Sequence, residues 1–167
     1  NEPDIKQVFV TGTSLQQDEL EQKLYIVRKK MEKAISSTRL ANERTFYIVS
    51  LSSKQMVYKG MLTSMQLREY FPDLCHPNFT SRVALVHSRF STNTFPTWDL
   101  AQPFRMLGHN GEINTIRGNR QWMESRESVL KSELLGDLKE LFPIVQPGMS
   151  DSASLDNVLE FLVMSGK

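Results

Sequence analysis

Ser81-Arg82-Val83-Ala84-Leu85-Val86-His87-Ser88-Arg89-Phe90 contains an apolar, β-branched run, Val83 to Val86, that ends abruptly in polar residues. A run of that length and composition reads as a buried strand. Phe104 to His109 reads as a second strand, and the polar, Pro-containing residues 91–103 read as the loop between them. Upstream, Phe46 to Leu51 is β-branched and aromatic, Ser52-Ser53-Lys54 turns, and Gln55 to Gly60 alternates. That is the pattern of an antiparallel hairpin. Val8 to Val10 is a further short candidate strand.

Helical patterns flank these segments. Across about 16–37, Leu20, Leu24, Val27, Met31 and Ile35 recur at spacings of three and four with charges between them. A short helix is expected at Ser64 to Tyr70, stopping at Pro72. Two more are expected from about Asn114 to Leu130 and from about Ser152 to Met164. In the last, Leu155, Val158, Leu159, Leu162 and Val163 form one apolar stripe. Helix, then mostly antiparallel strands, then helices predicts an α+β fold, with a layered sheet sandwich flanked by helices. It argues against a βαβ nucleotide-binding fold, since Gly108 and Gly111 lack the G-x-G-x-x-G spacing. There are no internal repeats.

The 167 residues fit one domain with a real core, and 40% apolar with 23% charged residues is an ordinary globular composition. A formal net charge of +1 implies no polyanion-binding surface. Arg28, Lys29, Lys30 and Lys33 share their stretch with Glu21 and Glu32, and read as a solvated helix face rather than a nucleic-acid site. Cys75 is the only cysteine, so no internal disulfide can form and a reducing compartment is expected. No apolar run reaches the ~18–20 residues of a membrane span. No secretory signal pattern is present at the N-terminus either, so a cytoplasmic location is expected. The sequence opens at Asn1 without an initiating methionine and stops at Lys167 after an apolar helix, and both ends read as cuts.

Several segments offer chemistry. Cys75-His76 invites a thiol-nucleophile reading with His87 or His109 as base, but neighbours on an extended chain point apart, and an incidental loop cysteine reads better. The histidines and the cysteine lack metal-ligand spacing. Arg89, at the end of an apolar strand and followed by Thr92, Asn93 and Thr94, suits either a structural salt bridge or a planar fork for a carboxylate. Asn110-Gly111 reads first as a tight turn. The same pair, an amide N–H₂ beside an unobstructed backbone N–H, also suits an oxyanion hole. Asp151 or Ser152 would cap the last helix, and a carboxylate there also suits an ammonium group.

Read together and in order, these segments closely resemble one family. His87-Ser-Arg89-Phe-Ser-Thr-Asn-Thr-Phe-Pro-Thr-Trp98 and Ala101-Gln-Pro-Phe-Arg-Met-Leu-Gly-His-Asn-Gly-Glu-Ile-Asn-Thr115 look like the signature of the glutamine amidotransferase domain of glutamate synthase large subunits. Tyr58-Lys-Gly60-Met and Gln146-Pro-Gly-Met-Ser-Asp-Ser-Ala-Ser-Leu-Asp156 fit the same family. The resemblance implies a class II, N-terminal-nucleophile fold, a four-layer αββα sandwich, of which residues 1–167 would be the central and C-terminal part.

In that family an N-terminal cysteine attacks the glutamine amide, with its own α-amino group as base. The released ammonia passes through a channel to a synthase site, where it meets 2-oxoglutarate and reduction over FMN with an iron–sulfur cluster yields glutamate. By position, Arg89 matches the residue that binds the substrate α-carboxylate. Asn110 and Gly111 match the oxyanion pair, and Asp151 the residue that holds the α-ammonium. Thr92, Asn93 and Glu112 lie in matching motifs and are expected to shape the pocket. No Cys-Gly segment stands at residue 1, so the 167 residues alone are expected to be inactive. No cofactor is expected in this chain, whereas FMN and an iron–sulfur cluster are expected in the parent. Expected partners are glutamine or glutamate, the remaining synthase domains, and a small subunit or ferredoxin, with no nucleic acid or membrane. A plastid location would apply if the source is a plant. The alternatives are a non-catalytic glutamine- or glutamate-binding module and another class II amidotransferase, such as asparagine synthase or a glucosamine-phosphate synthase. The Phe-Pro-Thr-Trp and Gln-Pro-Phe-Arg continuations argue against the latter.

Overall fold

The computed structural model describes residues 2–12, 14–38, 46–90 and 92–167. Among them are four α-helices: α1 (Gln17–Ser36), α2 (Ser64–Tyr70), α3 (Ile116–Glu127) and α4 (Asp151–Met164). Two 3-10 turns, Pro72–Cys75 and Leu138–Glu140, lie between them. Each helix falls where the periodicity placed it. α2 opens on Thr63, whose side chain accepts from Gln66 N–H, and stops before Pro72, which cannot continue a helix. α4 is capped by Ser150, one residue before the expected cap, whose Oγ accepts from Ala153 N–H at 3.2 Å.

No strand occurs among the described residues, so the α+β prediction and the αββα sandwich are both corrected. The reason lies in what the backbone groups do. Strand propensity supplies a preference, not a partner, and buried N–H and C=O groups bond wherever partners are found. In the expected hairpin, Ser52 Oγ–H and Ser53 N–H both donate to the Glu21 carboxylate of α1. The Ile48 carbonyl accepts from Arg105 Nη2 at 2.6 Å. Between Phe104 and His109, Phe104 N–H bonds Leu107 O at 2.8 Å, closing a tight turn. Met106 and Leu107 N–H donate to Asp156, and His109 uses both backbone groups on Gln102. Side chains occupy the places a ladder would take. Val83 and Val86, expected to be buried, are 80% and 79% exposed. Ser91, in the predicted 91–103 loop, lies outside the described residues.

The main core joins Tyr25 of α1 and Phe161 of α4 to Leu135, Leu138, Leu141 and Ile144. A smaller cluster, Leu100, Phe104 and Ala153, sits beneath the first turn of α4. Two faces differ from expectation. On α1 the buried face is Glu21, Leu24, Tyr25, Arg28 and Lys29, while Val27 and Met31 are largely exposed. Arg28 and Lys29 are therefore not a solvated face, although Lys30 and Lys33 are exposed. Arg28 pairs with Glu32 and with Glu160 of α4. Lys29 Nζ donates to the carbonyls of Pro143 and Ile144 at 2.7 and 3.2 Å.

On α4 the polarity is inverted. Asp151, Ser152, Ser154, Asp156, Asn157 and Glu160 are buried, while Leu155, Leu162 and Val163 of the apolar stripe are exposed. Burying polar groups is tolerable only when they are bonded. Here Asp156 holds two backbone amides, Asn157 accepts from Gln146 N–H at 3.1 Å, and Glu160 holds Arg28.

Candidate active site

Residues 102–113 are held by side chains at almost every step. Gln102 is 7% exposed, and its amide engages one residue twice. His109 N–H donates to Gln102 Oε1 at 2.7 Å, and Gln102 Nε2 donates to His109 O at 3.0 Å. His109 Nδ1 lies 2.8 Å from Ser152 Oγ. Past the next three residues, Ile113 N–H donates to Asp151 Oδ2 at 2.8 Å. Asn110 and Gly111 thus project into solvent as the exposed crest of a loop whose two ends are fixed on the first turn of α4. Gly111 has a steric reason to be glycine, since a β-carbon there would lie 2.9 Å from His109 Nε2.

The other positions singled out in the sequence border this loop. The Thr92 hydroxyl donates to Glu112 Oε1, joining the 92–94 turn to the 109–113 loop across twenty residues. Asn93 is exposed in that turn. The chain leading to Arg89 packs against the same loop from the other side: a β-carbon on Gly108 would meet His87 at 3.6 Å and Leu85 at 3.7 Å. Arg89 N–H donates to His87 Nδ1 at 3.0 Å, and the Arg89 side chain is exposed. Asp151 is fully buried, and besides Ile113 it accepts from Ser152 N–H at 2.7 Å. Asp151, Glu112, Thr92, Asn110 and Gly111 therefore form one connected patch. Among the described residues no hydrogen bond or ion pair joins the guanidinium of Arg89 or the side chain of Asn93 to it.

Four groups take central roles that sequence reasoning did not give them: Gln102, His109, Ser152 and Asp156. Gln102 carried a readable signal. It is a lone amide in the apolar run Leu100-Ala101-Gln102-Pro103-Phe104, and an amide carried into a core must be bonded there. The others had none, because their roles depend on contacts with residues forty or more positions away. Burial holds the Asp156 carboxyl above the usual range, against the Met106 amide and the Arg105 charge that favour its charged form. The loop leaves through Thr115, a β-branched residue at φ +56°, in the left-handed region where such residues are strained. That residue opens α3, with Asn119 N–H on its carbonyl at 3.0 Å.

Cys75 is exposed at the end of its 3-10 turn, and His76 Nδ1 accepts from Asn78 N–H at 3.2 Å. No group of three or more His, Cys, Asp or Glu side chains among the described residues is placed to hold a metal ion. One cysteine does not fit an iron–sulfur cluster, which takes about four thiolates. No described helix is long and apolar enough to cross a membrane.

A model of the family described as glutamine amidotransferases class-II matches residues 1–167. The chain is 49% identical, over its whole length, to a ferredoxin-dependent glutamate synthase of Pyropia yezoensis, of which it covers 11%. It is 54% identical over 86% of its length to an NADH glutamate synthase of Saccharomyces cerevisiae, covering 6% of that protein. To an NADPH glutamate synthase large chain of Azospirillum brasilense it is 46% identical over 99% of its length, covering 11%. The chain thus spans about a tenth or less of the length of these relatives.

Proposed function

The chain belongs to the class II glutamine amidotransferases, and from that premise we propose that it supplies the substrate pocket and oxyanion hole of a glutamine-hydrolysing domain within a glutamate synthase. The observation that carries this reading is the crest at Asn110 and Gly111, exposed and clamped at both ends. When a thiolate adds to the glutamine side-chain amide, the carbonyl oxygen becomes an oxyanion. The Asn110 Nδ2–H and Gly111 N–H donors stabilise it, in positions fixed before the reaction, which is where such donors act most strongly. The C–N bond then breaks, ammonia leaves, and water hydrolyses the resulting thioester to glutamate.

Arg89 takes the substrate α-carboxylate through its planar fork, and Asp151 takes the α-ammonium. Thr92, Asn93 and Glu112 shape the wall between them. The attacking thiol is a residue other than Cys75, which sits in an exposed turn with no base hydrogen-bonded to it among the described residues. The ammonia is passed to 2-oxoglutarate elsewhere in the parent polypeptide, where FMN and an iron–sulfur cluster belong. A small subunit or ferredoxin supplies the electrons. The setting is cytoplasmic, or plastidic in a plant.

In the full-length protein, Asn110→Ala should lower kcat for glutamine hydrolysis by ~10²–10³. Arg89→Ala should chiefly raise KM for glutamine. Ammonia release at wild-type rate from Asn110→Ala sinks the assignment.

A further inference from the structure

We propose that Gln102 is a positioning residue for the oxyanion pair, a latch that sets the direction of the Asn110 and Gly111 donors without touching substrate. The inference rests on the glutaminase reading above and extends it to a residue that the resemblance leaves without a role.

The geometry is specific. A primary amide offers one acceptor and one donor side, and Gln102 directs both at the backbone of a single residue, His109. The N–H and C=O of His109 belong to the two peptide units flanking its α-carbon, so the two bonds fix both units, which a single bond cannot do. The next N–H and side chain along the chain are those of Asn110, so the setting of His109 passes directly to the first donor. The amide is buried, with Leu100, Ala101 and Phe104 of its own segment buried around it. Its two bonds therefore face little competition from water. The same histidine is held by its ring, with Nδ1 2.8 Å from Ser152 Oγ, while Gly111 approaches the far edge of that ring closely enough to exclude a methyl group. Backbone, ring and neighbouring glycine are thus locked into one unit, and Gln102 anchors its backbone while Ser152 holds its ring.

A donor displaced by about 1 Å can cost on the order of 10²-fold in rate. In the full-length protein, Gln102→Ala should lower kcat for glutamine hydrolysis by ~10–100-fold, with KM for glutamine and the affinity for glutamate within about threefold of wild type. Gln102→Glu keeps the acceptor for His109 N–H but turns a carboxylate oxygen towards the His109 carbonyl. Protonation of that carboxyl restores the donor. The activity of Gln102→Glu relative to wild type should therefore climb as pH falls from 8 to 5, while the ratio for Gln102→Ala stays flat.

Asn110→Ala measured in parallel separates the possible failures. If Asn110→Ala retains full turnover, the oxyanion assignment fails and the latch has nothing to position. If Asn110→Ala is impaired but Gln102→Ala keeps wild-type kcat, the latch alone is wrong. Loss of glutamate binding by Gln102→Ala, or a flat pH ratio for Gln102→Glu, overturns the latch as well, because it reveals a role in folding only.

Discussion

A β-carbon built on Gly60 would lie 2.4 Å from Cζ3 and 2.8 Å from Cε3 of Trp98. The indole cannot simply yield, since it packs tilted against Tyr70 of α2 with ring centres 5.6 Å apart, and Leu62 closes the space at 3.2 Å. Gly60→Ala should therefore destabilise the fold by about 1–3 kcal/mol, the usual cost of overfilling a packed site. A lowered urea midpoint with unchanged slope would register it. An unchanged midpoint would mean that Trp98 is free to move. From sequence, Gly60 read as the end of an alternating strand, and nothing in its neighbours announced a tryptophan thirty-eight residues away. Gly111 was more legible, because a tight turn and an unobstructed backbone N–H both call for glycine after Asn110. What the sequence could not reveal there was the imidazole of His109 filling the space a side chain would need.

The helices were readable as elements and unreadable as faces. Expected spans of about 16–37, 64–70, 114–130 and 152–164 stand against Gln17–Ser36, Ser64–Tyr70, Ile116–Glu127 and Asp151–Met164. Periodicity reports that a stripe exists, but only the neighbours decide which stripe is covered. Val27 and Met31 face outward because Arg28 and Glu32, one step round α1, have buried partners. Strands failed for a related reason: a strand is a property of two segments, and sequence pattern describes one. The consequence for α4 is measurable. Arg28 is 2% exposed and Glu160 7%, with Arg105 at 3.8 Å from the same carboxylate. Among the described residues, Glu160→Ala would leave Glu32 as the one carboxylate ion-paired with both guanidinium groups. Breaking a buried pair from one side costs ~3–5 kcal/mol. Glu160→Ala should lose that much stability in denaturant titration, whereas a loss below about 1 kcal/mol would show that water reaches the cluster.

Over the whole molecule, the response to pH should be set by two buried lysines. Lys59 Nζ donates to Asp99 O at 2.5 Å and lies 5.1 Å from the Phe104 ring centre. It faces a cavity of about 350 Å³ that Arg105, Glu32, Asp99 and Asp156 also line. Burial, reinforced by Arg105, lowers its pKa to about 7. Burial likewise lowers Lys29 to about 8. Both values lie below the ordinary 10.5, so the unfolded chain holds these protons more tightly than the folded one. Stability should then rise with pH from about 7 towards about 10. Above that, Tyr25 and Tyr47, whose ionisation burial opposes in the folded state, reverse the trend. Urea midpoints at pH 7 and 9.5 test the sign, and Lys59→Met should flatten the slope. A midpoint that falls over this interval contradicts the assignment.

The inverted polarity of α4 also shapes which sequences this protein can drift through. In most surface helices the apolar positions resist change and the polar ones vary. Here the inward polar positions Asp151, Asp156, Asn157 and Glu160 each hold a named bond, beside the inward apolar Ala153 and Phe161. Leu155, Leu162 and Val163 face outward and hold none among the described residues. A deep substitution library of the helix should therefore enrich variants at its leucines and deplete them at its aspartates, the mirror image of the usual profile.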